Sequence, residues 1–277
     1  MKTARITCFA AVAVSLLLTL GCQKQINYLK ARNELNKGVQ AFSASQYPSA
    51  AEHFEAALEL DPSLTDAKAY LAYSYMMQYI PGGESPENLK MSQQAIEGFE
   101  EVLAKDSNHE LAISSLASLY FNMKEFDEAK RWHRRRIEVA MQEQPIDPAA
   151  ADSYYTIGVM NWTQSYEPRL ELRAELGMRP EDPGPIKDTK KRQELAEKVV
   201  PVIDEGVEAL NKALEINPNY ADAMAYLNLL NRERADLAES QEEYEQYLAQ
   251  ADEWVQKTLD TKRRLAQEST VEQFRAE

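Results

Sequence analysis

One spacing recurs along the chain and limits what it can fold into. With Ala31 as position 1, Gly38 stands at position 8, Ala50 at 20, Phe54 at 24, Ala57 at 27 and Pro62 at 32. Small residues at 8, 20 and 27 let two helices approach closely, and the large ring at 24 fills the seam between them. Asp61-Pro62 ends the second helix, because the residue before a proline is pushed out of the helical region. Tyr47-Pro48 opens that helix, where proline is tolerated in the first turn. The predicted helices are 31–45 and 48–60. No stretch alternates at the two-residue period of a strand, so no sheet is expected.

The pattern returns four times. From Thr65 it places Leu71, Ala72 and Tyr75. The segment 80–86, rich in proline and glycine, then reads as a loop, and Ala95, Phe99 and Val102 resume the second helix, displaced by 11 residues. From Glu110 it places Leu116, Ala117, Tyr120, Phe126 and Ala129. His133 stands at position 24, where an aromatic or aliphatic residue is usual, and Arg136 at 27, where a small one is. From Ala151 it places Tyr154, Ile157 and Gly158, but Gly206, Leu210 and Ala213 arrive only after an insertion of 36 residues. That insertion carries Pro168, Pro180, Pro183 and Pro185. It reads as a short helix over 168–176 followed by irregular chain over 180–185. From Ala221 the pattern includes Met224 and Leu227, breaks near Ser240, and continues through Ala251, Val255 and Leu259.

This order of small, large and turn residues resembles the tetratricopeptide repeat (TPR) family, whose units are helix–turn–helix pairs of about 34 residues. The resemblance covers about 31–265. It implies an all-α, right-handed superhelix (α-solenoid) of about five units, with insertions in units 2, 4 and 5, followed by a polar C-terminal tail over 266–277. It also implies a binding scaffold with no chemistry of its own.

The N-terminus reads as a targeting segment. Lys2 and Arg5 precede an uncharged, almost wholly apolar run from Ile6 to Leu20. That is about 15 residues, short of the roughly 20 that span a bilayer. The run ends in Thr19-Leu20-Gly21-Cys22, which resembles the lipobox of bacterial lipoproteins. The resemblance makes 1–21 a signal peptide and Cys22 the lipidation site, a cysteine bearing acyl chains such as palmitate. Residues 22–30 become an anchor and short tether, reaching roughly 25 Å if extended. Burial of acyl chains gains about 0.8 kcal/mol per methylene, so a multiply acylated cysteine is a firm anchor. The expected location is the cell envelope, lipid-anchored, at the outer membrane facing the periplasm. Cys8 and Cys22 are the two cysteines, and Cys8 leaves with the signal peptide, so no disulfide is expected.

The chain has 277 residues and a net charge of −14. Cleavage before Cys22 removes Lys2 and Arg5 and no acid, making it more acidic by two charges. Such a surface, taken as a whole, is repelled by nucleic acid and by anionic membrane. No glycine-rich phosphate loop is present. His53, His109 and His133 lie in different units without metal-ligand spacing, and serines such as Ser114 and Ser118 have no histidine at a readable distance. Neither metal nor cofactor is expected, and no enzymatic activity. The run Lys130, Arg131, Arg134, Arg135 and Arg136 reads as a solvated helix face paired with nearby acids such as Glu125, Asp127, Glu128 and Glu138.

In TPR arrays the first helix of each unit lines the concave face through positions 2, 5, 9 and 12. Here those positions hold Leu35, Val39 and Phe42, then Ala69, Tyr73 and Met76, then Ser114, Ser118 and Phe121. The fourth and fifth units supply Tyr155, Val159 and Trp162, then Ala225, Leu229 and Arg232. The partner-groove set is therefore Leu35, Val39, Phe42, Tyr73, Met76, Ser118, Phe121, Tyr155, Val159, Trp162 and Leu229. An apolar, aromatic groove suits an extended or helical segment of another envelope protein. The lysine and arginine set that would hold a C-terminal carboxylate is missing. Two alternatives stand beside this reading: a small-molecule or lipid carrier using an enclosed aromatic cavity, and an enzyme whose site is built by the 165–190 insertion.

Overall fold

The structure is a computed structural model that describes residues 23, 25–179 and 182–276; the signal segment and Cys22 lie outside them. Every regular element among the described residues is a helix: α1 (25–43), α2 (Tyr47–Leu60), α3 (Thr65–Met76), α4 (Pro86–Leu103), α5 (Glu110–Asn122), α6 (Phe126–Ala140), α7 (Ala149–Glu175), α8 (Thr189–Ile216), α9 (Ala221–Leu237) and α10 (Gln241–Ala276). They form two compact units, one ending at Ala129 and one beginning at Lys130. No described helix is long and apolar enough to cross a membrane.

In the first unit the core is Leu35, Ala50, Phe54, Ala57 and Ala67. The spacing works as its chemistry requires: a β-carbon on Gly38 would fall 2.5 Å from the Phe54 ring, so glycine is what lets α1 and α2 close. The loop between α3 and α4 is held by buried Asn88. Its amide donates to the carbonyls of Ile80 (2.8 Å) and Gly83 (2.7 Å) and accepts from the Ile80 N–H (2.7 Å). Ser85 caps α4 by accepting from the Asn88 N–H. The first helix starts earlier than expected, so 25–30 is helical rather than an extended tether.

In the second unit the same position-8 to position-24 contact recurs. A β-carbon on Gly158 would fall 2.4 Å from Leu210, across the whole insertion. The insertion itself differs from expectation. Pro168 does not start a separate helix; α7 runs through it to Glu175, and α8 likewise runs through Pro201. An interior proline costs about 3 kcal/mol in lost hydrogen bonding and clash. Here Leu172 and Leu176 pack on the core of Ile203, Leu210, Leu227 and Leu230, and that burial carries the helix past the break. The loop after α7 turns back into the protein, with Ile186 fully buried in the same core.

The fifth hairpin also differs. The break near Ser240 is the turn between α9 and α10, and α10 continues to Ala276 through the segment expected to be a tail. Its inward stripe is Tyr244, Tyr247, Ala251, Trp254 and Thr258, at alternating steps of three and four. Ala251 is buried as expected, but Val255 and Leu259 are exposed.

Candidate partner-binding face

The residues expected to form a groove occupy distinct settings. Leu35 is a core residue, 8% exposed. Val39 and Ser118 are exposed; Phe42, Tyr73, Met76 and Phe121 are half-buried. Phe42 gathers an aromatic knot, with ring centres 5.2 Å from Tyr73, 5.3 Å from Tyr47 and 5.8 Å from Tyr70. Phe121 lies 6.1 Å from Phe126.

The second unit brings Tyr155 and Trp162 into a longer array. Tyr155, Trp162 and Tyr166 fall at i, i+7 and i+11 on α7, one stripe of the helix. Tyr226 of α9 fits between the first two, 5.6 Å from Tyr155 and 5.5 Å from Trp162, edge-on to both. Tyr220, at the start of α9, extends the row 4.9 Å beyond Tyr155. Tyr166 stacks on Trp162 at 4.8 Å, and the Arg169 guanidinium lies 5.3 Å from the Tyr166 ring centre. All five rings are half-buried. Four of them rest on a core complete beneath them, and none of the five is fully buried. Val159 and Leu229 are half-buried as well. Tyr166, Tyr220 and Tyr226 were not in the expected set. The i+11 continuation on α7 was readable for Tyr166, whereas the other two join only because α9 packs beside α7.

The polar ends of the row differ. At one end the Tyr220 hydroxyl donates to Asp152 (3.1 Å). Burial and that carboxylate hold its phenol above the usual range. Tyr155 is pushed up to about 12 by burial, by Tyr226 and by Asp222. Both phenols therefore stay neutral at any ordinary pH and serve as hydrogen-bond donors. At the other end lies a buried ionic cluster. Arg169 donates to Glu233 (2.5 Å) and Asp236 (2.8 Å). Arg173, 1% exposed, donates to both Asp236 oxygens at 2.9 Å and to the carbonyls of Arg179 and Asp182. Burial would lower Arg169, but Glu233 and Asp236 together outweigh it and raise it. Glu233 is held above the usual carboxylate range by burial, which the pull of Arg169 does not offset.

Converging charges under the insertion are what an enzymatic site there would show, but the described charges of this cluster are engaged with one another. Both Asp236 oxygens are already bound by guanidinium groups. Gly184 presses against them, so that even a β-carbon would fall 2.4 Å from Oδ1. The Ile186 N–H donates to the Asp236 carbonyl (3.0 Å), Arg192 donates to the Ile186 carbonyl (2.8 Å), and the Gly184 N–H donates to the Tyr244 hydroxyl (3.1 Å). The cluster bolts the insertion to α9 and α10.

The basic run on α6 also departs from expectation. Lys130 is buried, and it and Arg134 share Glu205 of α8 at 2.9 and 2.5 Å. Burial would raise the Glu205 carboxyl, but the two cations hold it below its usual range. Arg135 does pair with Glu138, at 2.8 Å. His133 is buried in the core position. Burial first, then Arg136, lowers it to about 4, and neither ring nitrogen has a hydrogen-bond partner among the described residues. The other histidines are apart from it: His53 meets Glu34 (2.8 Å) and His109 caps α5. An open cleft of about 430 Å³ lies between α6, α7 and α8, floored by Ile137, Tyr154 and Ile157 and rimmed by Arg134, Glu208 and Lys212.

These hairpins, in this register, define an all-α TPR-like solenoid. No protein-family model matches the chain, and no curated protein matches it. Among solved structures it is similar to MamA, at 16% identity and a TM-score of 0.56, over 86% of this chain and 94% of that one. It is also similar to MamA 41-end from Desulfovibrio magneticus RS-1, at 16% identity and 0.52, over 84% and 96%. YrrB, described as a TPR protein with an unusual peptide-binding site, is a fainter likeness at 14% identity and 0.48, over 83% and 90%. The likeness to MamA is one of fold.

Proposed function

We propose that the chain is a non-enzymatic scaffold for protein–protein interaction, and that a segment of a partner protein lies along the aromatic row of α7 and α9. The row carries this reading. Rings offer large contact area at little cost in side-chain entropy, and interface hot spots concentrate in such residues. A folding core alone does not require five rings in file at its edge. The partner segment is extended or helical, with apolar anchors that fit between rings. Lipidation of Cys22, supported by the lipobox-like sequence before it, holds the scaffold in the cell envelope, at the outer membrane facing the periplasm, and makes the partner another envelope protein.

The test places a photo-crosslinking amino acid at Val159 or Leu229, beside the row, and at exposed Lys198 on α8 as control, in cells making the full chain. Adducts of defined mass are expected from the first two positions and not the third. They should weaken at least tenfold with Trp162→Ala/Tyr226→Ala, corresponding to about 1.4 kcal/mol or more of lost binding. Adducts that persist undiminished in the double variant would refute the assignment of the row.

A further inference from the structure

Exposed apolar side chains in this protein are mostly set among acids: Ile80 and Leu89 flank Glu84 and Glu87, and Val255 and Leu259 lie beside Glu253 and Asp260. Val39 and Met77 have no acid within four residues, and the start of α1 goes further, setting three exposed apolar residues beside cations. Ile26, Tyr28 and Leu29 are 45%, 39% and 61% exposed. Lys24, Lys30 and Arg32 are interleaved with them in sequence, and no acidic residue precedes Glu34 anywhere in the chain. Ile26, Leu29 and Lys30 fall on the side of the helix turned from Ala31 and Leu35, which are buried. Arg32 folds onto Tyr28, its Nε donating to the hydroxyl at 3.0 Å and its guanidinium 5.4 Å from the ring centre.

We propose that the first two turns of α1 form a membrane-contact surface that lies in the headgroup layer of an anionic phospholipid bilayer. An apolar face with an aromatic residue and cations beside it is what the water–lipid boundary accepts. Lys30 and Arg32 suit anionic headgroups, and charges farther off than about 8 Å are screened at physiological salt. The carboxylate next in line, Glu34, is engaged by Lys37 and His53. Ile26 follows Cys22 by four residues, so an acylated Cys22 would set this face at the bilayer. The proposal rests on the lipid-anchor reading for its place in the cell, not for its chemistry. An acyl anchor alone leaves a domain free to swing; a helix seated in the interface fixes its direction.

The test is flotation of the chain from Gln23 onward, which contains every described helix, with vesicles of phosphatidylglycerol and phosphatidylethanolamine or of phosphatidylcholine alone. Partition onto the anionic vesicles is expected, weakening with salt and roughly tenfold or more lower on the neutral ones. Ile26→Ser/Leu29→Ser and Lys30→Glu/Arg32→Glu should each reduce it by roughly tenfold or more, whereas Ile80→Ser should not change it. The substituted side chains are exposed, so unchanged circular dichroism is expected. Failure to float with anionic vesicles, or equal flotation of all variants, overturns the proposal. Cys22 is absent from this chain, so the result is independent of acylation; the mass of the full protein purified from membranes tests the anchor separately.

Discussion

His133 occupies position 24 of its repeat, where Phe54 and Phe99 are fully buried in theirs. A buried imidazole with no hydrogen-bond partner resists protonation, and its ionisation falls from 6.5 to about 4. For a base depressed in the folded state, stability is fully present above pH 6.5 and is lost as pH falls toward 4, because the unfolded chain binds the proton more readily. These two values give a loss of about 2 kcal/mol at pH 5, rising to about 3 kcal/mol at pH 4, relative to pH 8. His133→Phe removes the titration. At pH 8 the sign of its effect is set by two opposed terms. Relief of unpaired ring nitrogens gains about 1–3 kcal/mol, and the extra ring volume costs a similar amount. The difference between pH values is free of that ambiguity, since packing changes are common to both. Urea unfolding followed by circular dichroism at pH 8 and pH 5 should show the variant gaining about 2 kcal/mol on the wild type as pH drops. His133→Leu, with a smaller side chain, should show the same pH dependence of its gap. Carboxylates such as Glu205 also lose stabilisation in acid, but in all three proteins alike. A gap that stays constant within about 0.5 kcal/mol between the two pH values refutes the argument, since a buried, neutral imidazole must produce it.

Arg173→Leu leaves Asp236 buried with Arg169 as its remaining partner and should cost about 3–5 kcal/mol in urea unfolding, with 176–188 becoming sensitive to protease. Arg173→Leu/Asp236→Leu should recover much of that loss, and strict additivity would disprove the pairing. Gly158→Ala drives a methyl into Leu210 and should cost about 1–3 kcal/mol; the cost should shrink in a Leu210→Ala background, and an unchanged cost there would mean the contact is not what keeps position 158 small.

The fold was legible because its rule is local and repeated. Gly38 opposite Phe54 and Gly158 opposite Leu210 are the same small-to-large fit, sixteen residues apart in the first pair and, with the insertion between them, 52 in the second. Proline was the misleading signal. Its cost at Pro168 is fixed by the backbone, but whether a helix stops there depends on what the next turns can bury. Leu172 and Arg173 find partners on elements that the sequence does not place beside them. The register of α10 slipped for a related reason: long α9 and α10 meet along an alternating three–four stripe, not along the continuation of a repeat.

The candidate site divides in the same way. Residue types and the helical period determined on their own that the first helices carry aromatic stripes, that position 24 of the third unit holds an odd histidine, and that the chain is acidic overall with a basic run on one helix. Only the tertiary structure decided that Leu35 is interior, that Tyr220 and Tyr226 complete a row with Tyr155 and Trp162, and that Glu205 takes Lys130 and Arg134. It alone joined Arg169 and Arg173 to Glu233 and Asp236, more than 60 residues away. Periodicity is a property of one helix and can be read from one helix. Which charges neutralise each other, and which rings meet, depends on distances between helices set by the sum of all their packing.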